Sequence, residues 1–168
     1  MKQTLILLRH AKAVPWGYEV DDFSRPLAPR GRRHMYKLSA WAGKHLARPQ
    51  HVLCSSSVRT VETLEPFLRL WPGLAEHTQY LDDLYHASAG SLHHHAGKAL
   101  LEHGSVLMVG HNPGFETLAF SLLERSTALP LQRMATGTLG VFEFPDGFSS
   151  GDPARLRHWI TRHDLSAD

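Results

Sequence analysis

The sequence predicts a three-layer α/β/α sandwich around a mostly parallel sheet, with an antiparallel strand at one edge, and three observations lead there. Short apolar runs recur at Thr4 to Leu8, His51 to Cys54 and Val106 to Val109, too short for helices and with the near-continuous hydrophobicity of strands covered on both faces. Longer segments with apolar residues at helical spacing separate them. Two final runs, Thr138 to Phe144 and Ala154 to Arg162, are linked through Pro145-Asp146-Gly147, a turn sequence that sends a strand back antiparallel.

The first run turns abruptly polar at Arg9-His10, as expected of a buried strand delivering residues at its carboxyl end. A long loop, Ala11 to Ala28, follows and carries Pro15, Gly17, Asp21, Asp22 and Pro26. Connections of that length are uncommon in compact domains and often carry function. Pro29 can open a helix at its first position, and Met35, Leu38, Ala42 and Leu46 continue it to about His45 or Arg48. Ala28 is a poor cap for it. After the second strand, Ser55-Ser56-Ser57 are cap candidates for a helix carrying Val58, Val61, Leu64, Phe67 and Leu68, stopped by Pro72-Gly73. Thr78 to Leu81 reads as a short strand and Ser88 to His103 as a helix ended by Gly104. Past Val109, Gly110-His111-Asn112-Pro113-Gly114 opens a further helix through about Leu123.

With 168 residues the chain fits one domain with a substantial core. Apolar residues at 42% and charged residues at 20% exclude a disordered or membrane class. The formal charge is only +2, with the 18 Lys and Arg residues spread along the chain, so nucleic acid is not the expected partner. The apolar run Leu5 to Leu8 is too short for a secretory leader and no stretch is long enough to cross a bilayer, which points to a cytoplasmic protein with no membrane partner. A single cysteine, Cys54, fits the same reducing compartment and reads as an inert buried thiol.

Three apolar strands end in cationic or imidazole groups: Leu8-Arg9-His10, then Ser55-Ser56-Ser57-Val58-Arg59-Thr60, then Gly110-His111-Asn112-Pro113. In an open α/β sheet, ligands bind outside the carboxyl ends of the strands, where residues distant in sequence converge. Two arginines and two imidazoles meeting there suit a phosphoryl group. Arginine offers phosphate a planar fork of charged donors, and imidazole is a competent nucleophile near neutral pH. Asn112 as a cap and Pro113 in the first turn would aim a positive helix end at the same place.

Arg9-His10-Ala11 resembles the Arg-His-Gly signature of the histidine phosphatase superfamily, with alanine at the third place. Ser55 to Thr63 is similar to its Ser-Ser-Pro-x-x-Arg-x-x-x-Thr segment, with Ser57 in place of proline, and Gly110-His111-Asn112-Pro113 resembles its second histidine motif. Arg9 to Ala13, followed by Asp22-Phe23-Ser24-Arg25-Pro26-Leu27 and Pro29-Arg30-Gly31, is similar to the SixA-like branch, whose helix-opening threonine is here Ala28. The likeness covers the whole chain. It implies a phosphoglycerate mutase-like fold over a single domain, 1–168, and a phosphohistidine phosphatase needing no cofactor and no metal. By the same likeness His10 attacks phosphorus while Arg9, Arg59 and His111 bind the phosphate oxygens, and the partner is a histidine-phosphorylated protein. The arginines should keep His10 neutral, whereas a dianion beside His111 should favour its protonated form.

Asp83, in Leu81-Asp82-Asp83-Leu84-Tyr85-His86, is the nearest candidate for a proton donor, against the plainer reading of an exposed loop carboxylate. Arg25 has two readings, substrate contact or an ion pair with Asp21 or Asp22. Trp16, Tyr18 and Phe23 either form a docking face or pack the long loop down. His93-His94-His95 do not read as a metal site, because adjacent helical residues point apart. Two other functions stay open: a phosphomonoesterase for a small metabolite, and a non-catalytic module that docks on phosphohistidine proteins. A phosphoglycerate mutase fits poorly, since Ala11-Lys12-Ala13 lacks the mutase-like residues and the chain is short.

Overall fold

Leu5 and Leu7 belong to one hydrophobic core while Ile6 and Leu8 belong to another, because successive side chains of a strand point to opposite faces of its sheet. The same division recurs at Val106 and Met108 against Leu107 and Val109, and at Leu53 against Val52 and Cys54. A sheet apolar on both faces must be covered on both faces, which makes the three layers. The structure, a computed structural model, describes residues 1–17, 20–123 and 133–165.

The elements are β1 (Gln3–Arg9), α1 (Pro29–His45), β2 (His51–Ser55), α2 (Val58–Leu70), β3 (Thr78–Leu81), α3 (Ala89–His103), β4 (Ser105–Gly110), α4 (Gly114–Ser121), β5 (Leu139–Phe144) and β6 (Arg155–Ile160), with short 3-10 turns between some of them. Met35 and Leu38 of α1 and Leu64 and Phe67 of α2 fill one core. Leu92 and Leu100 of α3 and Phe115 and Leu118 of α4 fill the other. The sheet order is β3-β2-β4-β1-β5-β6. The first four strands run parallel, and β5 pairs antiparallel with both β1 and β6. The strand that opposes the rest is therefore β5, one place in from the edge. After the expected turn and a 3-10 helix at Phe148–Ser150, β6 reverses again and closes that side.

The expected α/β sandwich is the observed fold. α1 begins at Pro29 with no side-chain cap, as Ala28 in the capping position dictates. Its first turn packs against the loop after β1 so closely that a Cβ on Gly31 would lie 2.2 Å from the Lys12 carbonyl oxygen. That approach lets the Ala28 N–H donate to the same carbonyl at 2.9 Å, tying the loop to the helix start. The helices do not include a span long and apolar enough to cross a membrane, among the described residues.

Gly31→Ala forces backbone apart rather than a flexible side chain, so it should cost about 1–3 kcal/mol of stability. Urea denaturation against the wild type measures it, and a midpoint unchanged from wild type would contradict the close contact.

Candidate active site

β1 and β4 pair in parallel with Arg9 opposite Gly110, so the next residue of each strand, His10 and His111, leaves the sheet side by side. Their ring centroids are 5.3 Å apart. The His10 N–H donates to the Gly110 carbonyl at 3.0 Å, and the Gly137 N–H reaches the carbonyls of Arg9 and His10 at 3.1 and 2.9 Å. Gly137 sits at φ +73°, and a Cβ there would meet the His34 ring at 2.4 Å, so glycine alone fits this support. β2 lies on the other side of β4 and delivers Arg59 from the start of α2. Arg9, His10, Arg59 and His111 thus line one hollow of about 280 Å³ at the carboxyl ends of three adjacent strands, together with Arg25, Asp22 and Lys12.

Arg59 is 2% exposed, an expensive place for a charge unless it is paired. Its Nη1 donates to the Asp22 carbonyl at 2.6 Å and its Nη2 to Asp22 Oδ2 at 3.1 Å. Asp22 also accepts from Arg25 at Oδ1, through Nε at 3.0 Å and Nη2 at 2.9 Å, from the Tyr85 hydroxyl and from His86 Nε2 at 3.2 Å. The guanidinium of Arg59 lies 5.8 Å from the Tyr85 ring centre. The Nε groups of Arg9 and Arg59 are buried donors with no partner among the described residues.

Hydrogen bonding defines the two imidazoles. His10 Nδ1 is 2.8 Å from the Ala11 carbonyl oxygen; a carbonyl only accepts, so Nδ1 carries the hydrogen and Nε2 keeps its lone pair. Arg59 Nη2 is 3.3 Å from His111 Nδ1 and can only donate, which leaves the hydrogen of His111 on Nε2, directed to Ser55 Oγ at 2.8 Å. Ser57, at the capping position of α2, makes no cap bond. Its hydroxyl pairs with Thr60 Oγ1 at 2.6 Å and lies 3.5 Å from His111 Nε2. Asn112, expected as a cap, stands one residue before the capping position of α4, yet its Oδ1 still accepts from the Glu116 N–H at 3.1 Å.

Two solved SixA proteins share this architecture. The one from Nakamurella multipartitia superposes with a TM-score of 0.82 at 26% identity, covering 96% of each chain. The one from Agrobacterium tumefaciens gives 0.79 at 26% identity, over 95% of this chain and 98% of that one. The chain belongs to the histidine phosphatase superfamily, in its SixA-like branch. A protein histidine phosphatase SixA solved with tungstate has the same fold, with a TM-score of 0.80 at 20% identity over 97% of this chain and 99% of that one. In sequence, an uncharacterized protein of Mycobacterium tuberculosis is 34% identical over 116 residues, 68% of this chain and 69% of the relative. No family model matches the sequence.

This SixA-like site holds both imidazoles neutral. Burial pushes His10 down to about 3; the hydrogen bond to Ala11 opposes the fall, and Arg59, Arg9 and Arg25 add to it. Burial likewise pushes His111 down to about 2, with help from His10, Arg59 and His86 and against the attraction of Asp22. For Asp22, burial acts upward but is outweighed by the hydrogen bonds from Tyr85 and Arg25 and the charge of Arg59, which hold the carboxyl well below the usual carboxylate range.

Of the residues singled out in the sequence, Arg25 lines the hollow and also makes an ion pair with Asp22, so its two readings meet in one position. Asp83 is exposed on the 3-10 turn Asp82–Leu84 and is not among the residues lining the hollow, while its neighbour Asp82 accepts a hydrogen bond from Ser56. The same stretch supplies Tyr85 and His86 instead. His86 takes a left-handed backbone conformation, φ +53°, and its ring centroid lies 5.6 Å from that of His111. Sequence reasoning gave Tyr85 and His86 no role at the site, and gave Asp22 none beyond its place in the SixA-like stretch and the ion-pair reading of Arg25. The Asp22-to-Arg25 spacing was the available signal. Phe23 packs edge-on to Tyr85 at 5.1 Å, Trp16 is exposed, and Tyr18 lies outside the described residues. His93 and His94 are exposed on α3, and no cluster of three or more potential metal ligands occurs among the described residues.

Two outcomes follow from these bonds. Nitrogen-detected NMR at about pH 5, below the ordinary imidazole pKa, should show His10 as the neutral Nδ1–H tautomer and His111 as the neutral Nε2–H tautomer; an imidazolium at either position would contradict the assignment. Asp22→Asn should lose about 1–3 kcal/mol at neutral pH, because it weakens the pairing of a buried guanidinium. A carboxyl whose folded pKa is depressed stabilises the fold above its unfolded pKa and loses that contribution as the pH falls toward the folded value. The gap between wild type and variant should therefore be full above about pH 5 and narrow below about pH 4, as denaturation at several pH values measures.

Proposed function

We propose that this protein is a phosphatase that hydrolyses protein-bound phosphohistidine through a covalent phosphate on His10. The observation that carries the reading is the commitment of His10 Nδ1–H to the Ala11 carbonyl, which leaves a neutral Nε2 lone pair on a ring that shares its hollow with Arg9, Arg25, Arg59 and His111.

Nε2 of His10 attacks phosphorus, and the bond between phosphorus and the substrate's imidazole nitrogen breaks with its electron pair going to that nitrogen. A phosphohistidine ring protonated on its other nitrogen departs as neutral imidazole, so no separate acid is required. Asp22, held ionised, has no proton to give near neutral pH. Asp83, the donor candidate of the sequence, is exposed and does not line the hollow. Arg9 and Arg59 bind the phosphoryl oxygens, and their unpartnered buried Nε groups are donors that an oxyanion would satisfy. Arg25 offers a further guanidinium at the rim. A dianion next to His111 raises the pKa of that ring, so His111 becomes a cationic donor as the substrate binds.

On the intermediate, Ala11 still accepts from Nδ1–H, so the phosphorylated ring stays an imidazolium and is a good leaving group. Water attacks phosphorus, the bond to Nε2 breaks with its electrons returning to the ring, and the proton of the water passes to solvent. His10 is regenerated in its starting tautomer. No metal or cofactor takes part in this scheme. Its setting is the cytoplasm, with a histidine-phosphorylated protein as substrate, and the likeness to the SixA proteins supports that choice over a metabolite.

His10→Ala should lower turnover of a phosphohistidine protein by at least about a thousandfold, the scale of losing a nucleophile. Rapid quench of the wild type should trap acid-labile phosphate on His10. Wild-type kcat/KM should be higher for phosphohistidine than for alkyl phosphates. A higher value for an alkyl phosphate would favour the metabolite phosphatase, and absence of both turnover and trapped phosphate would favour a docking module.

A further inference from the structure

Beside the phosphate hollow the surface continues as a strip of cations that the chemistry above does not use. Lys12 and Thr136 line that hollow and also a second one of about 200 Å³, which Arg30, His34 and Arg162 share. A third hollow, again of about 200 Å³, adjoins it through Arg30, His34 and Arg162 and adds Arg33 and Lys37. Lys12, Arg30, Arg33, Lys37 and Arg162 are exposed. None of the five has an ion-pair partner among the described residues.

Asp164 and Glu62, on the elements that flank the strip, form no ion pair with these five cations among the described residues. Asp164 accepts from the Thr161 N–H and hydroxyl at 2.8 and 3.0 Å, and Glu62 pairs with Arg32 and accepts from the Leu27 N–H. The chain carries a formal net charge of only +2, so five unpaired cations on one face are a local concentration and not a general property of the surface. The amino-terminal end of α1, with no acidic residue in its first turn, adds to the same field. His34, buried between the two hollows with its Nε2 unpartnered, has its pKa lowered first by burial and then by Arg162 and Lys37, which places those charges around one point.

We infer that this strip binds an extended acidic segment of the phosphorylated protein, adjacent to its phosphohistidine. The inference rests on the function proposed above and names the partner's chemistry. Arg30, Arg33 and Lys37 follow one face of α1 over about 10 Å, the reach of roughly three extended residues. Through Lys12 the strip is continuous with the phosphate hollow, so a chain whose phosphoryl group sits over His10 runs onto it directly. A line of separated cations matches carboxylates repeated along a chain better than it matches one compact anion.

Fluorescence anisotropy of a labelled peptide of alternating Glu and Asp, against its Gln and Asn counterpart, tests the strip without any need for phosphohistidine. On the wild type the acidic peptide should bind at least roughly tenfold tighter, and the preference should fade as salt rises. The triple variant Arg30→Gln, Arg33→Gln, Lys37→Gln should lose that preference while hydrolysing p-nitrophenyl phosphate as the wild type does. Equal binding of the two peptides, an unaffected triple variant, or tighter binding of an oligothymidylate of equal length would overturn the inference. A phosphohistidine peptide flanked by acidic residues should show a KM lowered about tenfold relative to one with neutral flanks, at similar kcat. Hydrolysis of both peptides with equal KM would sink the strip and leave the phosphatase standing. Selective acidic-peptide binding with no phosphohistidine hydrolysis would sink the phosphatase reading alone.

Discussion

The parallel pairing of β1 with β4 is the constraint on which the rest of the site depends. Register places Arg9 opposite Gly110, and one residue further along each strand the chain leaves the sheet with an imidazole. A slip of one residue would send each side chain to the opposite face. The register is in turn protected by the two cores, since exchanging Leu5 and Leu7 with Ile6 and Leu8 would force both close-packed layers to repack. Hydrophobic packing far from the chemistry therefore fixes the separation of the two histidines.

A second dependency runs through Asp22. A guanidinium as buried as that of Arg59 is tolerable only with a counter-charge, and the long loop after β1 returns to supply it. The carboxylate joins Arg59, Arg25, Tyr85 and His86, so groups from the loop, α2 and the turn before α3 are held around one point. The loop is a structural part of the site, which accounts for a length that a simple connection would not need. Gly31 extends the same coupling outward, because the contact it permits carries Lys12 across the start of α1, where the phosphate hollow meets the cationic strip.

Much of this was legible in the residue order. Strand runs, helix periodicity and the stops at Pro72-Gly73 and Gly104 placed the elements to within a few residues, because each depends on local propensity and on the pattern of burial. The three motifs around His10, Arg59 and His111 could be read because each sits at a strand end, where apolar sequence changes sharply to polar. Asp22, Tyr85 and His86 could not be ranked in this way. They lie in loops without periodicity, where an acidic, phenolic or imidazole side chain has many unremarkable uses. Asp83 looked as well placed as its neighbours until the turn brought Tyr85 and His86 to Asp22 and left Asp83 exposed outside the hollow.

By itself, the order of residues determined the α/β architecture, the family likeness and which histidines and arginines stand at the strand ends, since these are written in short-range patterns of hydrophobicity and motif. Only the tertiary structure decided which imidazole nitrogen is left bare, which carboxylate neutralises Arg59, and that five scattered cations form one continuous strip. Those outcomes depend on distances between residues dozens of positions apart, and such distances exist only once the sheet has closed and its two faces are covered.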